Sequence, residues 1–120
     1  MTDFLLIFEG GDKEWMETAT PEQMQEHMAE WGAWFKQLES TGNLRNPGAP
    51  LSNDGSILSR NGDGIATDTT MSEVKELIGG YSILSAESLE QATELAKGAP
   101  FLASANGGRV HVRPILEMGG

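Results

Sequence analysis

Phe4-Leu5-Leu6-Ile7-Phe8 constrains this chain more than any other stretch. It is far shorter than the roughly 20 apolar residues needed to cross a bilayer, and its aromatic and branched content reads as a strand over Asp3–Glu9. Successive side chains of a strand face opposite ways, so Phe4, Leu6 and Phe8 point to one side and Leu5 and Ile7 to the other. A strand apolar on both faces needs a cover on each.

The rest of the chain supplies a cover for one face. Thr20-Pro21-Glu22-Gln23 is a helix start: Thr20 caps, Pro21 suits the first helical position and Gln23 completes a capping box. Met24, Met28, Trp31, Phe35 and Leu38 follow at spacings of four and three, an apolar stripe that ends near Gly42. Before it, residues 10–19 read as a loop anchored by Trp15. Asn46-Pro47-Gly48-Ala49-Pro50 reads as an irregular loop and Asn53-Asp54-Gly55 as a turn. Two short strands, Ser56–Arg60 and Ile65–Asp68, flank Asn61-Gly62-Asp63-Gly64 as a hairpin. Gly79–Ser85 is the next strand. Ser88 caps a second helix that buries Leu89, Ala92, Leu95 and Ala96 and stops at Gly98. After the turn at Asn106-Gly107-Gly108, Val110 and Val112 alternate with Arg109, His111 and Arg113 in a last strand.

This order predicts one domain over residues 1–120, an α+β, ferredoxin-like (split βαβ) subunit with both helices on one face of an antiparallel sheet. The second apolar face of the first strand then needs another cover, and the sheet of a second subunit is the simplest one, giving a homodimer through sheet faces. The alternative is that residues 45–64 fold over that face.

Composition narrows the function classes. Eighteen acids against eight bases give a net charge of −10, which argues against nucleic acid as a partner. There is no cysteine, so thiol chemistry and the usual zinc sites are excluded. No membrane span and no basic leader are visible, and the expectation is a cytoplasmic protein. Asn61-Gly62-Asp63-Gly64 weakly resembles a calcium loop but lacks the closing Glu, and no metal or cofactor is expected. The glycine runs lack the Lys-Ser/Thr and helix of a phosphate loop.

The segments "FLLIFEG", "TPEQM", "EVKELIGGYSIL", "SLEQATELAKGAP" and "VHVRPILEM" together resemble the YCII-related proteins, in particular the DGPF branch. The most specific pieces are Lys75-Glu76-x-x-Gly79-Gly80-Tyr81 and Val112–Met118. The resemblance implies a dimeric α+β barrel and a pocket at the sheet, where many members set a first-helix His against an Asp. It also implies either an enzyme or, through the branch's association with extracytoplasmic-function sigma factors, a regulatory protein. The branch's Asp-Gly-Pro-Phe stands here as Asp68-Thr69-Thr70-Met71, and the family His position falls on Trp31.

Asp68 is the leading candidate for acid–base chemistry, either as a desolvated carboxylate at a dimer pocket or as a helix cap. His27, one turn before Trp31, either joins Asp68 or is a helix-side histidine satisfied by one hydrogen bond. Arg109, His111 and Arg113 form either an anion site, with Arg113 its best member, or ion pairs to Asp or Glu. Trp31 and Tyr81 are pocket candidates, whereas Trp34 and Phe35 at helical spacing read as core. Two functions stand: a cofactor-independent lyase or isomerase using Asp68, or a non-catalytic ligand-binding or regulatory partner protein.

Overall fold

The computed structural model describes residues 1–11, 18–52, 54–69, 78–104 and 108–118. β1 spans Thr2–Glu9 and alternates as its sequence demands, with Phe4, Leu6 and Phe8 buried and Leu5 and Ile7 half-buried. It pairs antiparallel with β5 (Ile78–Ala86) on one side and β6 (Arg109–Pro114) on the other. β2 (Leu44–Pro50) adds to the far edge of β5, so the antiparallel sheet runs β2-β5-β1-β6. β3 (Ile57–Asn61) and β4 (Gly64–Asp68) form a separate two-stranded sheet. Among the described residues the helices are α1 (Pro21–Ser40), α2 (Leu89–Ala96) and α3 (Pro100–Ser104), which makes the fold α+β.

α1 begins with the expected reciprocal cap. The Gln23 N–H donates to Thr20 Oγ1 at 3.1 Å and the Thr20 N–H to Gln23 Oε1 at 2.9 Å. It ends in a Schellman turn: Gly42, at φ 75°, donates to the Glu39 carbonyl and Asn43 to that of Leu38. Asn43 then ties the helix end to the sheet. Its buried side chain donates from Nδ2 to the Ser85 carbonyl at 2.8 Å, and its own carbonyl accepts the Ser85 N–H at 2.7 Å.

The core lies between the helices and one face of the sheet. Leu6, Phe8 and Leu84 pack there with Trp34 and Leu38 of α1 and with Ala96 and Ala99. Phe4 packs with Ala86 and Ala92 in a smaller cluster. The stripe read for α1 is shifted: Met28 is 65% exposed and Trp34 is buried. At about 100° per residue, Trp31, Trp34 and Leu38 define the inward arc, and Met28 falls on its margin while His27 falls within it. Leu89 is also exposed, because as the first residue of α2 it lies outside the buried Ala92–Ala96 side.

Residues 46–50, read as an irregular loop, belong to β2. Pro47 and Pro50 are tolerated because β2 is an edge strand with two register irregularities against β5. Gly48 makes the pairing possible: at φ 74° its Cα lies so close to β5 that a Cβ there would sit 1.8 Å from the Tyr81 carbonyl oxygen. Ser82, buried opposite, donates its hydroxyl to the Pro47 carbonyl at 2.8 Å. Trp15, Asn53, the Ser72–Glu76 string and Asn106-Gly107 lie outside the described residues.

Candidate functional site

The second face of the sheet is the one that the helices leave uncovered. Ladder pairing places its side chains in rows: Arg113, Leu5 and Ile83 in one, His111, Ile7 and Tyr81 in the next. Leu5, Ile7 and Ile83 are only half-buried and Tyr81 is exposed. In the segment that follows α1, residues 44–50 join the sheet edge and residues 57–68 pair with each other as a separate hairpin. The face is thus an apolar floor with basic groups along its β6 side.

Glu9 organises that side, and sequence reasoning missed it. It closes β1 on the same face as Leu5 and Ile7, and the register sets it opposite Arg109. One carboxylate oxygen accepts a hydrogen bond from the Arg109 guanidinium. The other lies 3.3 Å from His111 Nε2, a ring nitrogen that is enclosed without a well-formed hydrogen bond among the described residues. The Arg109 hydrogen bond, opposed by burial and aided by His111, holds the Glu9 carboxyl below its ordinary value of 4.5. Of the three basic residues read as one cluster, Arg109 and His111 therefore face a carboxylate in their own chain. Among the described residues neither Arg113 nor the Tyr81 hydroxyl has a hydrogen-bond or ion-pair partner.

The opposite face holds an aromatic cluster at the end of β1. Phe8 meets Trp31 edge-on at 5.2 Å between ring centroids and lies 5.4 Å from Phe101. Trp31 in turn packs on Trp34 and Phe35. The Trp31 indole N–H donates to His27 Nε2 at 2.9 Å, so that nitrogen carries no proton and the imidazole proton sits on Nδ1. His27 and Trp31 do share a helix side, and the structure couples them directly.

Asp68 is the last residue of β4, exposed and paired across the ladder with Ile57. The residues after Thr69, where a cap would form, lie outside the described ones. Among the described residues two open clefts stand out. One lies between α1 and Gly98–Leu102 against Trp34, and the other lies at the sheet edge between Asp3, Arg45 and Ile115–Glu117. Neither is lined by Asp68 or His27. Among the described residues no group of three or more His, Asp or Glu side chains converges to hold a metal ion. No helix among them is long and apolar enough to cross a membrane.

No curated protein matches the chain. The family model of the YCII-related domain matches residues 5–119, which take in most of β1, the Trp31–His27 pair and Arg113. The chain therefore belongs to the YCII-related domain family.

Proposed function

We propose that this YCII-related protein, of the DGPF type, is a ligand-binding homodimer whose ferredoxin-like subunits join through their open sheet faces as a dimeric α+β barrel. The strand order β2-β5-β1-β6 with helices on one face supports the subunit reading. The half-buried Leu5, Ile7 and Ile83 support the dimer, since a sheet face of this kind calls for a cover. The ligand is a small carboxylate with an apolar or aromatic body. Arg113 takes the carboxylate, and the Tyr81 hydroxyl and His111 orient the rest near the sheet interface.

One observation carries this reading: on an apolar floor in a strongly acidic chain, Arg113 has no ion pair among the described residues. A thermal-shift and calorimetric screen of benzoate, phenylacetate and short aliphatic carboxylates tests it. Ligands that raise the melting temperature of the wild type should lose their effect in Arg113→Ala and Tyr81→Phe. Equal responses in the wild type and both variants would refute it.

A second reading, a cofactor-independent lyase or isomerase, draws on the Trp31–His27 hydrogen bond, which fixes one imidazole tautomer as acid–base chemistry needs. In it, Asp68 and His27 exchange protons with substrate beside Trp31. Asp68 is exposed within one subunit, so the raised pKa this role needs must come from the second subunit or from substrate. Turnover that survives in both Asp68→Asn and His27→Gln would remove this reading.

A further inference from the structure

We propose that Glu9 and His111 form a proton-transfer pair on the open sheet face, in which His111 Nδ1 is the general base for a 2-oxocarboxylate held by Arg113. This rests on the reading above that Arg113 takes a ligand's carboxylate, and it adds a reaction to that site.

The register builds the pair. His111 stands opposite Ile7, and Glu9 lies two residues beyond Ile7 on the same face of β1. Glu9 Oε2 thereby comes within 3.3 Å of His111 Nε2. That nitrogen is enclosed, and the carboxylate is the acceptor beside it. Two lone pairs set against each other would repel, so the neutral ring carries its proton on Nε2 and its lone pair on Nδ1. The His111 side chain is nonetheless 41% exposed. With Nε2 enclosed, that exposure belongs to the rest of the ring, and the basic nitrogen stays accessible.

Arg109 decides which member of the pair moves a proton. Its guanidinium donates to the other Glu9 oxygen and holds the carboxyl below its ordinary value. Glu9 therefore stays ionised and is a poor proton acceptor. Its part is that of a positioning residue, which fixes the His111 tautomer and stabilises the imidazolium once it forms. A hydrogen bond of this kind is often poorly aligned before substrate binds and tightens in the complex.

The neighbours define the substrate. Arg113 follows His111 by two residues on the same face of β6, about 7 Å along the strand. A carboxylate held by Arg113 brings atoms two or three bonds further on within reach of the imidazole. In a 2-oxocarboxylate the acidic C3–H lies at that distance, and an apolar body beyond it suits the floor formed by Leu5, Ile7 and Ile83. The C3–H bond breaks, its proton passes to Nδ1, and its electron pair moves into the C2 carbonyl to give an enolate. Return of the proton to oxygen yields the enol and return to carbon restores the ketone. No further reactant is consumed.

Phenylpyruvate is the probe. Proton NMR in heavy water follows exchange of its C3 hydrogens, and calorimetry follows its binding. The wild type should exchange them faster than buffer does. His111→Gln should lower that rate by about 100-fold or more while still binding phenylpyruvate within a few-fold. Glu9→Gln should bind phenylpyruvate and exchange it more slowly. Long-range proton–nitrogen NMR of the imidazoles separates positioning from a structural role. His111 should show its proton on Nε2 in the wild type and a mixture of tautomers in Glu9→Gln, with the circular dichroism unchanged. A proton on His111 Nδ1 in the wild type would overturn the pair without recourse to any variant. Phenylpyruvate that binds through Arg113 but exchanges no faster than in buffer, or as fast in His111→Gln, would overturn the pair and leave the ligand reading standing. Benzoate binding without phenylpyruvate binding would overturn the substrate class. Binding of neither would overturn the ligand reading and the pair with it.

Discussion

Trp31 holds His27 by a hydrogen bond from its indole N–H to Nε2, 2.9 Å across one turn of α1. The bond assigns the imidazole proton to Nδ1 and places a polar contact at the rim of an aromatic cluster that includes Phe8 and Phe35. The two side chains are thereby coupled, and a change at either one removes this partner from the other.

The first prediction concerns that bond. Trp31→Phe keeps an aromatic ring and removes the donor. Nitrogen-detected NMR of the imidazole should show Nε2 unprotonated in the wild type and a mixture of tautomers in the variant. The lost hydrogen bond should cost about 0.5–1.5 kcal/mol of stability in urea, in addition to any loss from the smaller ring.

A second prediction follows from the edge of the sheet. Gly48→Ala combines a left-handed backbone, about 1–2 kcal/mol for any residue with a Cβ, with a Cβ placed 1.8 Å from the Tyr81 carbonyl oxygen. The strand must move away from β5. The loss should exceed about 2 kcal/mol, and hydrogen exchange should quicken at the β2–β5 ladder before it does at β1–β6.

Asn43 sets the third. Its Nδ2 donates to the Ser85 carbonyl at 2.8 Å and its Oδ1 accepts from the Thr41 hydroxyl at 2.6 Å. Asn43→Ala should leave these partners unsatisfied and cost about 1–3 kcal/mol, measured by chemical unfolding. Asn43→Asp keeps the shape, loses the donor and sets a buried carboxylate against the Ser85 carbonyl, so it should also be clearly destabilised. A silent Asn43→Asp would place the effect in packing.

The fourth is a pH dependence. Glu9 is held below 4.5 in the folded chain, chiefly by the Arg109 hydrogen bond, so folding favours its ionised form. Its contribution is present at neutral pH and above the ordinary carboxylate value. It is lost as the pH falls from that value through the lower, folded one. Glu9→Gln should therefore melt below the wild type at pH 7, and the gap should close as the medium is acidified. A gap that is constant with pH would mean that charge is not what Glu9 contributes.

Local signals made much of the fold legible. Two-sided apolarity identified β1, a capping box located the start of α1, and Asn61–Gly64 marked the hairpin tip. The alternation of Val110 and Val112 with basic residues gave β6 its faces. β2 was hidden because Pro and Gly signal a loop whenever the strand's place in the sheet is unknown, and only an edge tolerates them. Met28 looked like core because equal spacing does not say where the inward arc is centred. The site was less legible. Tyr81 and Arg113 emerged as side chains on one face, but the partnership of Glu9 with Arg109 and His111 depends on a register set across almost the whole chain.

The central place of β1 has a kinetic consequence. It is the most apolar segment and is synthesised before both its neighbours, β5 and β6, which lie far along the sequence from it. Phe4–Phe8 must wait without these hydrogen-bonding partners until both have been made, and the loops that close then are long. Folding should be slow for a chain of this size. The interval before β6 arrives is when nascent chains are most exposed to sticking together, and when a chaperone would matter most.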